Sequence, residues 1–309
     1  MTELKIIFYI ILVSISIAHA ALITNTGNDF KIATKNWSSL TDIEKIQKWE
    51  EFEGKYQEIY DTWVYHKELN GWQDRQKKKR DFFFTQLPVL QNGMINLFDN
   101  ATVIVQEREK AFKQYFTDLK EDIPVIILPS LFSFNGQVAT VPNSEKYGLY
   151  IGVDFVTYRN DNLNVLFSHE FFHAYHRDKL GNKLNGQTMA TPLWKEGFAT
   201  YVSGLLNPDQ SDEILLMDKD LAAKCSDNQY ISELARLYLP IIRTDGESTY
   251  NDWFMMSGQN PIKRRGYCLG LKVIREIIKT NKVLDMTTWN ESRFAVEVEN
   301  VLKIFASGN

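Results

Sequence analysis

Cysteine is almost missing from this chain. Cys225 and Cys268 are its only two in 309 residues, and neither sits in a C-x-x-C pair. That spacing argues against a cysteine-built metal or redox site. In an oxidising compartment the two could form one disulfide, but their positions alone leave open whether they meet. No segment supplies the ~20 consecutive apolar residues that a membrane-spanning helix needs. Basic excess is missing too: the formal net charge is −4. Such a chain has no general pull toward nucleic acid, and no nucleic-acid partner is expected. The one basic run, Lys77-Lys78-Lys79-Arg80, reads as a solvated helix face. No internal repeat or low-complexity tract occurs.

With 44% hydrophobic and 24% charged residues, the composition suits a substantial core. It fits one large domain or a catalytic domain with an added lobe. At the start, Lys5 precedes an apolar stretch from Ile6 to Ala18, followed by Ala18-His19-Ala20. A positive start, a short apolar middle and an A-x-A end describe a signal peptide over residues 1–20. Cleavage after Ala20 would release a secreted or periplasmic protein with no stable membrane insertion; the alternative is an uncleaved N-terminal anchor. Asn36, Asn100 and Asn290 open glycosylation sequons, which matter only in eukaryotic secretion.

Residues 21–120 read as helical. Ile43, Ile46, Trp49, Tyr56, Ile59, Tyr60 and Trp63 recur at roughly helical spacing between Leu40 and Glu68, with Thr41 or Asp42 as cap. A second helix is expected from Asp74 to Leu87, ended by Pro88, and a third from Gln106 to Leu119. This region carries no recognisable chemistry and could be a lobe, a lid or an inhibitory cover. After Asp122 the pattern changes. Val125–Leu128, Phe132–Val141 and Leu149–Val153 read as short strands. Helices follow at about Leu163–Arg177, Leu193–Leu206 and Cys268–Lys279. A small sheet followed by helices predicts an α+β catalytic domain over residues 121–309.

The first of these later helices contains His169-Glu170-Phe171-Phe172-His173. Histidines four apart share one helix face, so both imidazoles can reach one ion. Glu170 is rotated about a third of a turn, which aims its carboxylate at a metal-held water rather than the metal. By chance, H-E-x-x-H would arise in roughly one chain in two hundred of this length and composition. Three of the five histidines also crowd into positions 169–176.

A catalytic zinc site needs three protein ligands and one open position. Downstream stands Trp194-Lys195-Glu196-Gly197-Phe198-Ala199-Thr200-Tyr201, W-x-E-G-x-A-x-Y in form. Together with H-E-F-F-H it resembles the gluzincin metallopeptidases. A later Gly266-Tyr267-Cys268-Leu269-Gly270, G-Y-x-x-G, is similar to an element in secreted, predicted zinc-dependent proteases of that group. The resemblance covers about Val125 to Leu271. It implies a zincin-like domain with a small mixed sheet, in which His169, His173 and Glu196 bind Zn²⁺ and Glu170 is the general base. Gly197 and Ala199 would let the second motif helix approach the first. Tyr267 is the candidate oxyanion donor, with Tyr201 in reserve, although packing alone would explain either.

His176 returns to nearly the same face but lies about 4.5 Å beyond His173 along the axis. It reads as a residue behind the ligands or facing substrate, or as an uninvolved surface histidine. Two family features are absent. Thr200 stands where an acidic residue often orients a ligand histidine, and no G-x-M-E-N element binds a free amine. The expected activity is therefore endopeptidase cleavage of a peptide or protein substrate, with the strand near Val138–Val141 receiving an extended chain. The rivals are an exported zinc-binding module without turnover and a zinc hydrolase of a non-peptide amide.

Overall fold

A computed structural model describes residues 22–119, 121–181 and 188–308; the signal-peptide reading lies outside the described residues. Four strands form one mixed sheet: β1 (Ile23–Asn25), β2 (Val125–Leu128), β3 (Gly136–Thr140) and β4 (Tyr147–Gly152). Their order is β1-β2-β4-β3. β1, β2 and β4 run parallel, with Ile23 opposite Val125 and Val125 opposite Leu149. β3 runs antiparallel to β4, with Val138 opposite Leu149. Val125-Ile126-Ile127-Leu128 is buried along its whole length, as a parallel strand covered on both faces should be. β1 is a departure from the sequence reading, because it comes from the region expected to be only helical.

The helical N-terminal region begins with α1 (Gly27–Ala33) and α2 (Asp42–Lys55). Thr41 caps α2: its hydroxyl accepts from Glu44 N–H, while Glu44 accepts from Thr41 N–H. The helix expected to continue to Glu68 instead ends at Lys55. One further turn and a π-helical turn at Tyr60–Val64 follow.

The larger correction is α3 (Trp72–Tyr115), a single 44-residue helix that passes through Pro88. The break expected at Pro88 and the separate helix from Gln106 do not occur. Proline in a helix interior costs about 3 kcal/mol. Here its ring is exposed, while Phe83, Leu87, Met94, Phe98, Ala101, Val105 and Phe112 form one buried seam across it. Burial along that seam outweighs the local penalty. The basic run on α3 is not wholly solvated either. Arg80 turns inward to Glu53, which also accepts from the Trp49 indole at 2.5 Å.

α4 (Val153–Arg159), α5 (Leu163–Leu180) and α6 (Ala190–Leu206) follow the sheet. Asp154 in α4 is buried and accepts from the backbone of Ser130 at 2.5 Å and of Phe132 at 2.6 Å. It thereby holds the loop before β3, where Leu131 and Phe132 both have positive φ. The C-terminal part contains α7 (Asp212–Leu216), α8 (Lys219–Cys225), α9 (Asn228–Tyr238), α10 (Glu247–Phe254), α11 (Arg265–Ile277) and α12 (Glu291–Ser307). Cys225 and Cys268 pair, joining α8 to α11 with 5.7 Å between Cα atoms.

The two motif helices are buried between these layers. Phe171 and Tyr175 of α5 pack on Phe112 of α3, and Trp194 of α6 stacks on Trp289 and Phe294. Gly197 does permit a close helix approach, but toward α11 rather than α5. A Cβ there would lie 2.4 Å from the Gly270 carbonyl carbon. Among the described residues no helix is long and apolar enough to cross a membrane.

Candidate metal centre

The Asn162 side chain accepts from the backbone of Asn164 and Val165 and so caps α5, the helix that carries H-E-F-F-H. One turn separates His169 from His173, and both Nε2 atoms turn toward α6. His169 Nε2 and His173 Nε2 are 3.0 Å apart, and each lies 3.3 Å from Glu196 Oε2. A tetrahedral ion with bonds of about 2.0–2.1 Å would space its ligand atoms about 3.3 Å apart. The triangle has that size, and its donors are imidazole nitrogens and a carboxylate oxygen. These three residues could therefore hold a metal ion.

The electrostatics suit the same arrangement in part: burial would lower the His173 pKa, but the Glu196 carboxylate outweighs it and raises that ring above its usual value. Burial would raise the Glu196 pKa, but His173 and His169 outweigh it and hold the carboxyl well below its usual range. Burial lowers His169 to about 4, so it presents a neutral ring. Glu170 is buried beside the triangle and outside it; burial pushes its carboxyl up to about 7.

A cavity of about 620 Å³ opens over this group, lined by His169, Glu170, His173, Glu196 and Tyr267 among others. The Tyr267 ring stacks at 6.2 Å on His169 and carries the Arg264 guanidinium at 4.2 Å on its face. Burial raises the Tyr267 pKa well above the usual value, so the hydroxyl keeps a proton to donate. Tyr201 does not join the site: it is not among the cavity residues and lies near Tyr115 of α3. His176 is not a surface histidine. It is 1% exposed, packed between Phe172 and Phe198, and lines the cavity with both ring nitrogens unpartnered. The Thr200 hydroxyl donates to the Glu196 carbonyl at 2.7 Å within its own helix, so it does not orient a histidine.

The sequence reading missed three kinds of cavity residue. Tyr250 of α10 has its pKa raised by burial and by Glu196 and Glu170, making it a second protonated hydroxyl there. Gly136 opens β3 directly beside Glu170. Gln137, Arg177 and Lys195 form part of the wall. Lys195 fills the variable position of W-x-E-G beside Glu196, whereas the others stand in no motif and only the folded arrangement brings them together. No described residue of the N-terminal helical region is among those that line the cavity.

Comparison with known proteins finds no matching family model, no matching curated protein and no matching solved structure.

Proposed function

We propose that this protein is a zinc-dependent metallopeptidase of gluzincin type that cleaves internal peptide bonds. The observation that carries the reading is the convergence of His169, His173 and Glu196 on one point, with the Glu170 carboxylate beside it and not part of it. Zinc held by the three residues would supply Lewis acidity toward a water and a substrate carbonyl. Glu170 takes the proton from the attacking water and returns it to the leaving amine. A carboxyl raised toward neutrality by burial can serve in both directions. Tyr267, protonated and stacked on His169, donates to the developing oxyanion, and Tyr250 is the alternative donor. The outer edge of β3 receives the substrate backbone, because among the described residues only β4 pairs with that strand.

The A-x-A leader and the Cys225–Cys268 bond support a secreted or periplasmic setting. An intact Glu170 favours turnover over metal storage, since holding an ion does not require it. The test is zinc content of the purified mature protein and of Glu196→Ala, with casein digestion in parallel. About one zinc per chain, weakened by the substitution, with chelator-sensitive cleavage is expected. Stoichiometric zinc without cleavage of any peptide would overturn the peptidase reading, and no zinc after reconstitution would overturn the metal site.

A further inference from the structure

The cavity also carries a charge pattern that this chemistry does not use. Arg159, Arg177, Lys195 and Arg264 line it, against the two carboxylates Glu170 and Glu196. The whole chain is acidic, so this concentration of cations is local. Two of the four are engaged by the protein. Arg159 pairs with Asp161 at 3.2 Å and donates to the Met217 carbonyl at 2.6 Å. Arg264 donates to the Leu216 carbonyl at 3.1 Å and covers the Tyr267 ring.

Arg177 and Lys195 are different, for neither has a carboxylate partner among the described residues. Arg177 reaches only the Val138 carbonyl at 3.4 Å and the face of Tyr147 at 4.3 Å. Its place in the last turn of α5 suits the helix dipole, but the dipole gives its guanidinium no carboxylate partner. Lys179, in the same last turn, is paired with Asp118 at 2.6 Å. Two further side chains with a donor to offer sit in this wall. Gln137 Nε2 and the ring nitrogens of His176, one of which carries the proton of the neutral ring, are buried without a hydrogen-bond partner. Buried donors without acceptors are costly and are satisfied when a ligand supplies the acceptor.

We propose that Arg177, Lys195, Gln137 and His176 form a carboxylate-binding subsite beside the metal centre, which selects substrates carrying an acidic group near the cleaved bond. The inference rests on the metallopeptidase reading for its substrate class. A guanidinium can grip a carboxylate through two parallel N–H bonds, and the Lys195 ammonium adds a point charge. The carboxylate comes either from an aspartate or glutamate side chain or from a free peptide C-terminus.

Binding is measured by fluorescence anisotropy on the full mature chain, zinc-loaded and carrying Glu170→Gln so that peptides survive. The probes are fluorescein-labelled hexapeptides with one glutamate moved through every position and an amidated end. A neutral amidated peptide and a neutral peptide with a free C-terminus complete the set. One glutamate position, or the free C-terminus, is expected to tighten binding about tenfold or more over the neutral amidated peptide. Glutamate dependence identifies a side-chain carboxylate, and dependence on the free end identifies a terminal one. In Arg177→Gln or Lys195→Gln the preference collapses, and Arg177→Lys restores part of it. Circular dichroism and zinc content show that each variant is folded and loaded. Equal binding of acidic and neutral peptides, or a preference that survives both substitutions, overturns the subsite. Cleavage by the unsubstituted enzyme separates the two readings. Acid-dependent binding without cleavage of any peptide sinks the peptidase and leaves the subsite, whereas cleavage without acid preference does the reverse.

Discussion

Gly136 and Glu170 are fitted to one another: a Cβ built on Gly136 would fall 2.8 Å from Glu170 Cγ and 2.9 Å from Oε1. The first residue of β3 is thus bare where the Glu170 carboxylate of α5 lies. The backbone needs no glycine there, since Gly136 is not among the positive-φ positions. The space does.

Gly136→Ala should therefore displace Glu170 without unfolding the chain, because the obstructed atoms belong to a side chain that can move. Activity should fall about tenfold to a hundredfold, as misplacing a reacting group by about 1 Å can do. Zinc content and melting temperature should stay near those of the parent. Parental cleavage rates in the variant would mean that the carboxylate position seen here is not the working one.

Glu170→Gln keeps the shape and removes the proposed base. It should retain zinc while kcat drops about a hundred- to ten-thousand-fold, the range for general-base catalysis. His173→Ala should lose both metal and activity. Metal analysis beside casein cleavage distinguishes the two losses, and a fully active Glu170→Gln would remove the base assignment.

Tyr267→Phe and Tyr250→Phe each delete one hydroxyl from the cavity. If Tyr267 is the oxyanion donor, its substitution should lower kcat about a hundredfold with KM little changed. Tyr250→Phe should then have the smaller effect. The reverse ranking would transfer the role to Tyr250.

Replacing both Cys225 and Cys268 by serine should destabilise the protein by about 2–4 kcal/mol, since the bond closes a long loop. Chemical denaturation of the oxidised parent and the double variant measures this. Cys268 also adjoins Tyr267, so activity should decline in the double variant at temperatures where its zinc is still bound.

Pro88→Ala should stabilise the chain by about 1–3 kcal/mol, because an exposed proline inside a continuous helix gives way to the best helix former. A destabilised variant in the same denaturation assay would indicate a helix broken at Pro88.

The parts of this protein legible in its sequence are those encoded locally. H-E-F-F-H fixes two rings on one face, the run Val125–Leu128 is apolar throughout, and Thr41 with Glu44 spells out a capping box. Pro88 misled because its local rule is opposed by a seam of apolar residues on either side of it. β1 left no trace because three residues, Ile23-Thr24-Asn25, are too few to show alternation. Gly136, Tyr250 and Arg177 were invisible for another reason. Each matters only through what a distant segment places beside it, and no spacing along the chain records that.

β1 has a consequence for how the molecule assembles. Its partner in the sheet lies about a hundred residues further along, and the intervening α1, α2 and α3 must be accommodated before the two can meet. Val125 N–H donates to the Leu22 carbonyl and Thr26 N–H to the Ile127 carbonyl, each at 3.0 Å, while the Asn25 amide grips α3 through the Phe98 carbonyl at 2.8 Å. A contact so remote in sequence forms late. The earliest described residues to be synthesised are thus among the last to find their place, and until they do, β2 presents an open edge to any other extended chain.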